Sequence, residues 1–308
     1  MSGNSASVAV IVPCYNEEAT VANVVRDFRA ALPDAAVYVY DNNSSDETVS
    51  RATEAGAVVR HERRQGKGYV VQRMFSDVEA DVYIMVDGDD TYDAASAPKL
   101  VEALTSEHLD MVCGSRVHQE AAAYRPGHVL GNKMLTGLVR LLFGQRFKDM
   151  LTGYRCMSRR FVKSFPAVAT GFETETELTV HALSLDLPVA EIETPYKERP
   201  EGSESKLSTF RDGFRILGLI LRLLRHERPR FFYSAVSALL VATSLGFGVP
   251  VIFEFFETGL VRRFPTAILA SALAIIAVIS YFSGLILETI VVGRKEQKLL
   301  AYLRCPPS

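Results

Sequence analysis

The 308-residue chain has no tryptophan and only four cysteines, Cys14, Cys113, Cys156 and Cys305, far apart and without a CxxC pair. That spacing excludes a zinc-finger ligand set and a disulfide framework, and it suits a reducing cytoplasm. Charge of neither sign prevails: 34 lysines and arginines against 36 aspartates and glutamates leave −2, whereas a general binder of nucleic acid would be strongly basic. No nucleic-acid partner is expected. Met1 to Ser7 has no basic segment leading into an apolar run, so no signal peptide is expected to export the soluble part. The closing Cys305-Pro-Pro-Ser308 has prolines where a prenylation box needs aliphatic residues. Apolar residues are plentiful at 48%, enough for one large core with a surplus, and the surplus lies in the last quarter.

The stretch Asp87-Gly88-Asp89-Asp90 follows the apolar run Asp81 to Val86, in which Val82, Ile84 and Val86 alternate with Tyr83 and Met85. This pattern predicts a buried strand of a mostly parallel sheet, with the carboxylates at its carboxyl end, where open α/β sheets bind ligands. Asp87 and Asp89 flank a residue without a side chain, so both can turn toward one hard divalent cation. The alternative is an acidic strand-to-helix turn in which Asp93 or Ser96 caps the next helix. An EF-hand fits poorly, because its sixth position would be Tyr92 and its twelfth Pro98.

Earlier in the chain, Val8 to Pro13, Val37 to Tyr40 and Ala57 to Arg60 read as strands, each followed by a helical pattern. Together with the strand before Asp87 they make β-α-β-α-β-α-β, which implies a parallel sheet with right-handed crossovers. Three strand ends then present polar clusters on one edge: Tyr15 to Glu18, Asp41 to Asp46, and Asp87 to Asp90. Gln65-Gly66-Lys67-Gly68 is not a Walker loop, since no glycine stands five residues before the Gly-Lys pair, and by itself it reads as a flexible helix start.

The segments VIVPCYNEE, YDNNSSDET, QGKG and VDGDD, in this order over residues 8 to 93, resemble family 2 glycosyltransferases. The resemblance implies a GT-A fold. It implies that Pro13, Tyr15, Asn16 and Glu17 line a nucleoside pocket, that Asp41 accepts a hydrogen bond from the base, and that Lys67 belongs to the donor site. It further implies that Asp87 and Asp89 hold Mg2+ or Mn2+ and the diphosphate, with Asp89 essential to turnover. Asp41-Asn-Asn-Ser-Ser resembles uridine-binding members more than guanosine-binding ones. Asp90-Thr91 stands where many dolichol-type members have Leu-Gln, which leaves the third metal ligand unassigned.

Beyond Asp110 the chain is less regular. Asp110 to Arg116 reads as a strand ending in a Gly-Ser-Arg turn, its arginine either a solvated charge or a phosphate fork. Asp149-Met-Leu-Thr-Gly-Tyr-Arg155 resembles a segment of the polyprenyl-phosphate branch, which includes dolichol-phosphate mannosyltransferases. Carried over, Asp149 is the candidate base or sugar-positioning carboxylate, and Arg155 an acceptor-phosphate ligand. Thr174 to Glu177 reads as a capping box for a helix through His181, which is taken as structural, while Glu175 is within reach of sugar hydroxyls. Arg199 to Lys206 resembles the branch's loop over phosphates, so Arg116, Arg199, Ser205 and Lys206 join Arg155 as phosphate or acceptor ligands.

On a helical projection of Phe210 to Leu224 and its flank, Arg211, Arg215, Arg222 and Arg225 form a stripe beside Phe210, Phe214, Leu217, Leu221 and Leu224. This predicts a helix in the headgroup layer. Residues 231–253 and 264–288 each exceed the roughly 20 apolar residues that cross a bilayer. Arginines and lysines before and after this hairpin outnumber Arg262 and Arg263 in its loop, so both ends are expected in the cytoplasm. Glu288, near the end of the second span, is either a functional residue or one that snorkels or pairs with Arg294.

The expected domains are a cytoplasmic catalytic domain 1–206, an interfacial helix 207–230, two membrane spans within 231–292 and a cytoplasmic tail 293–308. The expected activity is inverting transfer of a sugar from a nucleotide diphosphate, UDP favoured, to a polyprenyl phosphate at the membrane, with association into a homo-oligomer left open. One alternative is a processive polysaccharide synthase, against which stands the lack of the tryptophan in that family's Gln-x-x-Arg-Trp segment. The other is a nucleotide-sugar sensor or scaffold without turnover.

Overall fold

The computed structural model describes residues 6–118, 137, 149–167, 173–197, 218 and 221–306. Seven strands form one sheet: β1 Val8–Cys14, β2 Ala36–Asp41, β3 Val58–His61, β4 Val82–Met85, β5 Met111–His118, β6 Arg155–Ser158 and β7 Val189–Tyr196. Their order is β3-β2-β1-β4-β6-β5-β7. β1 to β4 run parallel, as the alternating pattern predicts, and β7 is parallel to β5. β6 is antiparallel to both β4 and β5. Neither β6 nor β7 is expected from the sequence pattern. Four residues, Arg-Cys-Met-Ser, are too few to show a period.

Both faces of the sheet are covered, which is why β1 and β4 are apolar at every position. Val10 and Val12 pack with Val21, Val24, Val25 and Phe28 of α1 (Val21–Ala31) and with Leu100 and Leu104 of α4 (Ala97–Ser106). The opposite face, with Ala9 and Ile11, packs on Val70, Val71, Met74 and Phe75 of α3 (Lys67–Asp77). α5 (Arg159–Ser164) and α6 (Thr174–Ser184) complete that layer, and α2 (Thr48–Glu54) joins β2 to β3. Apolar burial of roughly 25 cal/mol per Å2 drives this layering. The parallel register levels the strand ends, with Asp41 opposite Cys14 and His61 opposite Asp41.

Two capping expectations fail. α6 begins at Thr174 itself, after Glu173, with no side-chain cap bond, so the capping box does not form. Neither Asp93 nor Ser96 caps the backbone; instead the Ser96 hydroxyl donates to the Asp93 carboxylate at 2.7 Å.

The chain divides into two compact units, Met1–Ile216 with Gln297–Ser308, and Leu217–Glu296. The second unit holds α7 (Pro229–Thr258) and most of α8 (Phe264–Arg304), both long and apolar enough to cross a membrane. Both exceed the expected spans of 231–253 and 264–288. They pair through small residues: Ser237 donates to the carbonyl of Ala277 and Ser244 to that of Ala270, each at 2.8 Å. The last turns of α8 belong to the first unit, within which the Tyr302 hydroxyl donates to Asp110 at 2.9 Å. Of the arginine stripe, Arg211 and Arg215 lie outside the described residues, and Arg222 and Arg225 are exposed on the helical stretch 221–227.

Candidate active site

The three polar strand ends are stitched into one surface. Asn16 donates its backbone N–H to the Ser44 hydroxyl, and its side-chain oxygen accepts from Ser45, both at 2.9 Å. Glu17 N–H donates to Thr48 at 2.8 Å. Asn42 donates to the carbonyls of Glu62 and Arg64 at 2.9 and 2.8 Å and accepts from Gly66 N–H, which ties the QGKG turn to the end of β2. The Thr20 hydroxyl donates to the Gly88 carbonyl at 2.6 Å, fixing the DGDD turn to the start of α1. Asn16, Asn43 and Asp90 take left-handed φ of 52°, 64° and 55°, a region that Asn and Asp tolerate better than most residues.

Electrostatics report the same convergence. Burial pushes the Cys14 thiol up, and the negative charges of Glu17, Asp41, Asp87 and Asp89 push it further. Four carboxylates therefore lie within electrostatic reach of Cys14 at the strand ends. Lys67 offsets part of that charge: its ammonium donates to Asp87 at 2.6 Å and also to Glu175 on α6. Burial alone would lower the Lys67 pKa, but the two carboxylates outweigh it and hold the amine well above its usual range. Asp89 is buried and accepts from the Thr91 hydroxyl at 2.6 Å. Asp41 accepts from the N–H groups of Asn43 and Ser44, each at 3.1 Å, and lies 3.3 Å from Nδ1 of His61. Tyr15 stands exposed beside the cluster, and Pro13 is half-buried in β1.

The loop before β6 closes the site from the other side. Gly153 presents no side chain to Asp87; a Cβ there would lie 2.3 Å from Oδ2. Gly153 N–H donates to the buried Tyr92 hydroxyl at 2.7 Å. Asp149 receives Arg116 bidentately at 2.7 and 2.9 Å. Burial pushes the Asp149 carboxyl up, but hydrogen bonds and charge from Arg116 prevail and hold it below the usual carboxylate range. A carboxylate so held is a weak base and a firm anchor.

Arg155 is a correction. Expected at an acceptor phosphate, it is fully buried and donates to the carbonyls of Thr152 and Met150 and to the Thr179 hydroxyl. Its guanidinium is spent on joining the 149–153 loop to α6. Arg116, expected at a phosphate, pairs with Asp149. Arg199, Ser205 and Lys206 lie outside the described residues. His181 is structural as expected: it is buried against Phe161 and Phe165, its Nε2 lies 3.0 Å from Ser164, and burial, aided by Lys298, lowers its pKa to about 3. The Lys67–Glu175 pair, 108 residues apart, carries no signal in local spacing.

Among the described residues no three acidic, His or Cys side chains gather as a ready metal cage. Asp87 and Asp89 nevertheless fit a small hard cation, since Mg2+-type sites use one or two carboxylates and complete their shell with water and substrate phosphate.

Comparison with known proteins gives a concordant result. The Glycosyl transferase family 2 profile matches residues 9–165. Glycosyltransferase AglJ of Haloferax volcanii is 34% identical over 255 residues, covering 81% of this chain and 82% of that protein. The dolichyl-phosphate hexose transferase of the same organism is 29% identical, covering 72% of this chain and 96% of its own. Among solved structures, glucosyl-3-phosphoglycerate synthase from Mycobacterium tuberculosis in complex with Mn2+ and UDP-glucose superposes with a TM-score of 0.56 at 24% identity, over 71% of this chain and 78% of that one. The sheet is thus that of a GT-A-like α/β fold.

Proposed function

The chain belongs to glycosyl transferase family 2, and we propose that it moves a sugar from a UDP-sugar to a polyprenyl phosphate, with inversion, at the cytoplasmic face of a membrane that α7 and α8 cross. The observation that carries the donor half is that Asp41, Asp87 and Asp89 stand at neighbouring strand ends, with the half-buried Lys67 donating to Asp87 at 2.6 Å. Such a surplus of negative charge suits a divalent cation bridging to a diphosphate. Mg2+ or Mn2+ held by Asp87 and Asp89 would supply Lewis-acid stabilisation of the departing nucleoside diphosphate.

The chain's own residues divide the remaining work. Asp41 accepts an N–H from the base, in a pocket that Pro13, Tyr15, Asn16 and Glu17 line. Lys67 holds Asp87 in place and keeps a positive charge beside the diphosphate. Asp149, fixed by Arg116, orients the acceptor or sugar; a phosphate nucleophile is already ionised at neutral pH, so positioning matters more than proton removal. Arg199, Ser205 and Lys206 are assigned to the acceptor phosphate on sequence resemblance. The lipid acceptor is supported by the name of the dolichyl-phosphate relative and by the two long apolar helices.

Calorimetry of the full chain with UDP and GDP, with and without Mn2+, tests the donor half. UDP is expected to bind more tightly than GDP by at least roughly tenfold. The metal-dependent part should vanish in Asp89→Asn while the fold persists. Tighter GDP binding, or metal-independent binding unchanged in the variant, overturns the reading.

A further inference from the structure

A groove of about 400 Å3 opens at the start of α7, lined by Arg228, Arg230, Phe231, Ser234 and Glu288. Its walls follow from how the two helices meet. Gly284 of α8 is buried against α7, where a Cβ would lie 2.8 Å from Tyr233 Cβ and 3.5 Å from Arg230 Cα and the Pro229 carbonyl. Glu288 is one turn further along the same face of α8. The expected pairing with Arg294 is not made, because the Arg294 guanidinium donates to the carbonyl of His226 at 2.8 Å. Oε2 of Glu288 is shielded from solvent and has no hydrogen-bond partner. With neither oxygen paired among the described residues, the Glu288 carboxylate brings an uncompensated negative charge to the groove lining, so a cationic N–H donor entering the groove would be preferred beside it.

An occupant must meet two demands at once. It needs an anion for Arg230, which is exposed at the groove, and a cationic N–H donor for Glu288, which lines the same groove. Phe231, 63% exposed, offers an apolar flank for the hydrocarbon that follows. A phosphodiester joined by two carbons to a primary ammonium satisfies all three. A choline head group has the charge but no N–H, a glycerol head group lacks the cation, and a polyprenyl phosphate or inorganic phosphate answers only the arginine.

We infer that this groove is a binding site for the phosphoethanolamine head group of an aminophospholipid, with Arg230 on its phosphate and Glu288 on its ammonium. The inference rests on the proposal that α7 and α8 lie in a membrane. Bound there, the lipid seats the hairpin at the interface.

Native mass spectrometry of the full chain in neutral detergent, offered equimolar phosphatidylethanolamine, phosphatidylcholine and phosphatidylglycerol, reads the preference directly. Phosphatidylethanolamine adducts should exceed phosphatidylcholine adducts by roughly tenfold, the effect of one hydrogen bond to a charged group. Glu288→Gln should bring the two to near parity, and Arg230→Ala should reduce both. Equal adducts in the wild type, an ethanolamine preference that survives Glu288→Gln, or displacement of the lipid by a short polyprenyl phosphate would each overturn the assignment. Retention in membranes after alkaline extraction, measured in parallel on the wild type, tests the membrane reading separately.

Discussion

Glu62 shows what one buried carboxylate does for the donor face. It accepts from Arg64 Nε at 3.0 Å, Arg64 N–H at 2.8 Å and Arg73 Nε at 3.2 Å, while its carbonyl takes Asn42. The Arg64 side-chain bond, opposed by burial and reinforced by the remaining bonds, lowers its pKa from 4.5 to about 2. A carboxyl lowered in the folded state stabilises the fold fully above its unfolded value, and that contribution fades as pH falls through the folded one. Glu62→Gln should therefore lower Tm by several degrees above pH 4.5, and the gap from wild type should close between pH 4.5 and about 2. A gap constant across that window in thermal melts contradicts the account. Asp41, Asp87 and Asp89 were legible in the sequence because each ends or follows an apolar alternation. Arg155 was not, since its burial depends on Met150, Thr152 and Thr179 arriving from a loop and a helix at once.

Among the elements, the 149–153 loop and β6 are the parts that local pattern left unread. Their positions come from pairing between β4 and β5, a long-range decision that four residues cannot announce. Sequence did reveal the parallel strands β1 to β4, whose apolar runs and polar exits repeat. The loop sets the site through Gly153, pinned by Tyr92 at 2.7 Å and facing Asp87. Gly153→Ala puts a methyl group 2.3 Å from Oδ2 of Asp87, and the loop cannot retreat without breaking the Tyr92 bond. Turnover should fall by roughly 100-fold, the scale of a 1 Å misplacement, with Tm nearly unchanged. A kcat within twofold of wild type contradicts this use of the loop.

At the scale of the whole molecule, the end of the chain closes the core of the unit that carries the site. Tyr302 packs on the core layer of α3, α5 and α6, lies under the Arg160 guanidinium at 4.9 Å and donates to the buried Asp110, whose other oxygen takes Ser158 at 2.6 Å. The sequence of 293–308 does not announce this contact, because a partner nearly two hundred residues away leaves no local trace. Tyr302→Phe should destabilise this unit by about 1–2 kcal/mol, the cost of one unsatisfied buried acceptor, seen as a lower thermal midpoint in detergent; an unchanged midpoint contradicts it. The central claim, sugar transfer to a lipid phosphate at a metal-assisted diphosphate site, is tested most directly by product analysis. Membranes carrying the full chain are incubated with labelled nucleotide sugars and a short polyprenyl phosphate, then extracted with organic solvent. The account predicts label from a UDP-sugar in the lipid phase, lost with EDTA, restored by Mg2+ or Mn2+ and absent in Asp89→Asn; label confined to an aqueous polymer, or lipid label indifferent to EDTA and to Asp89, would contradict it.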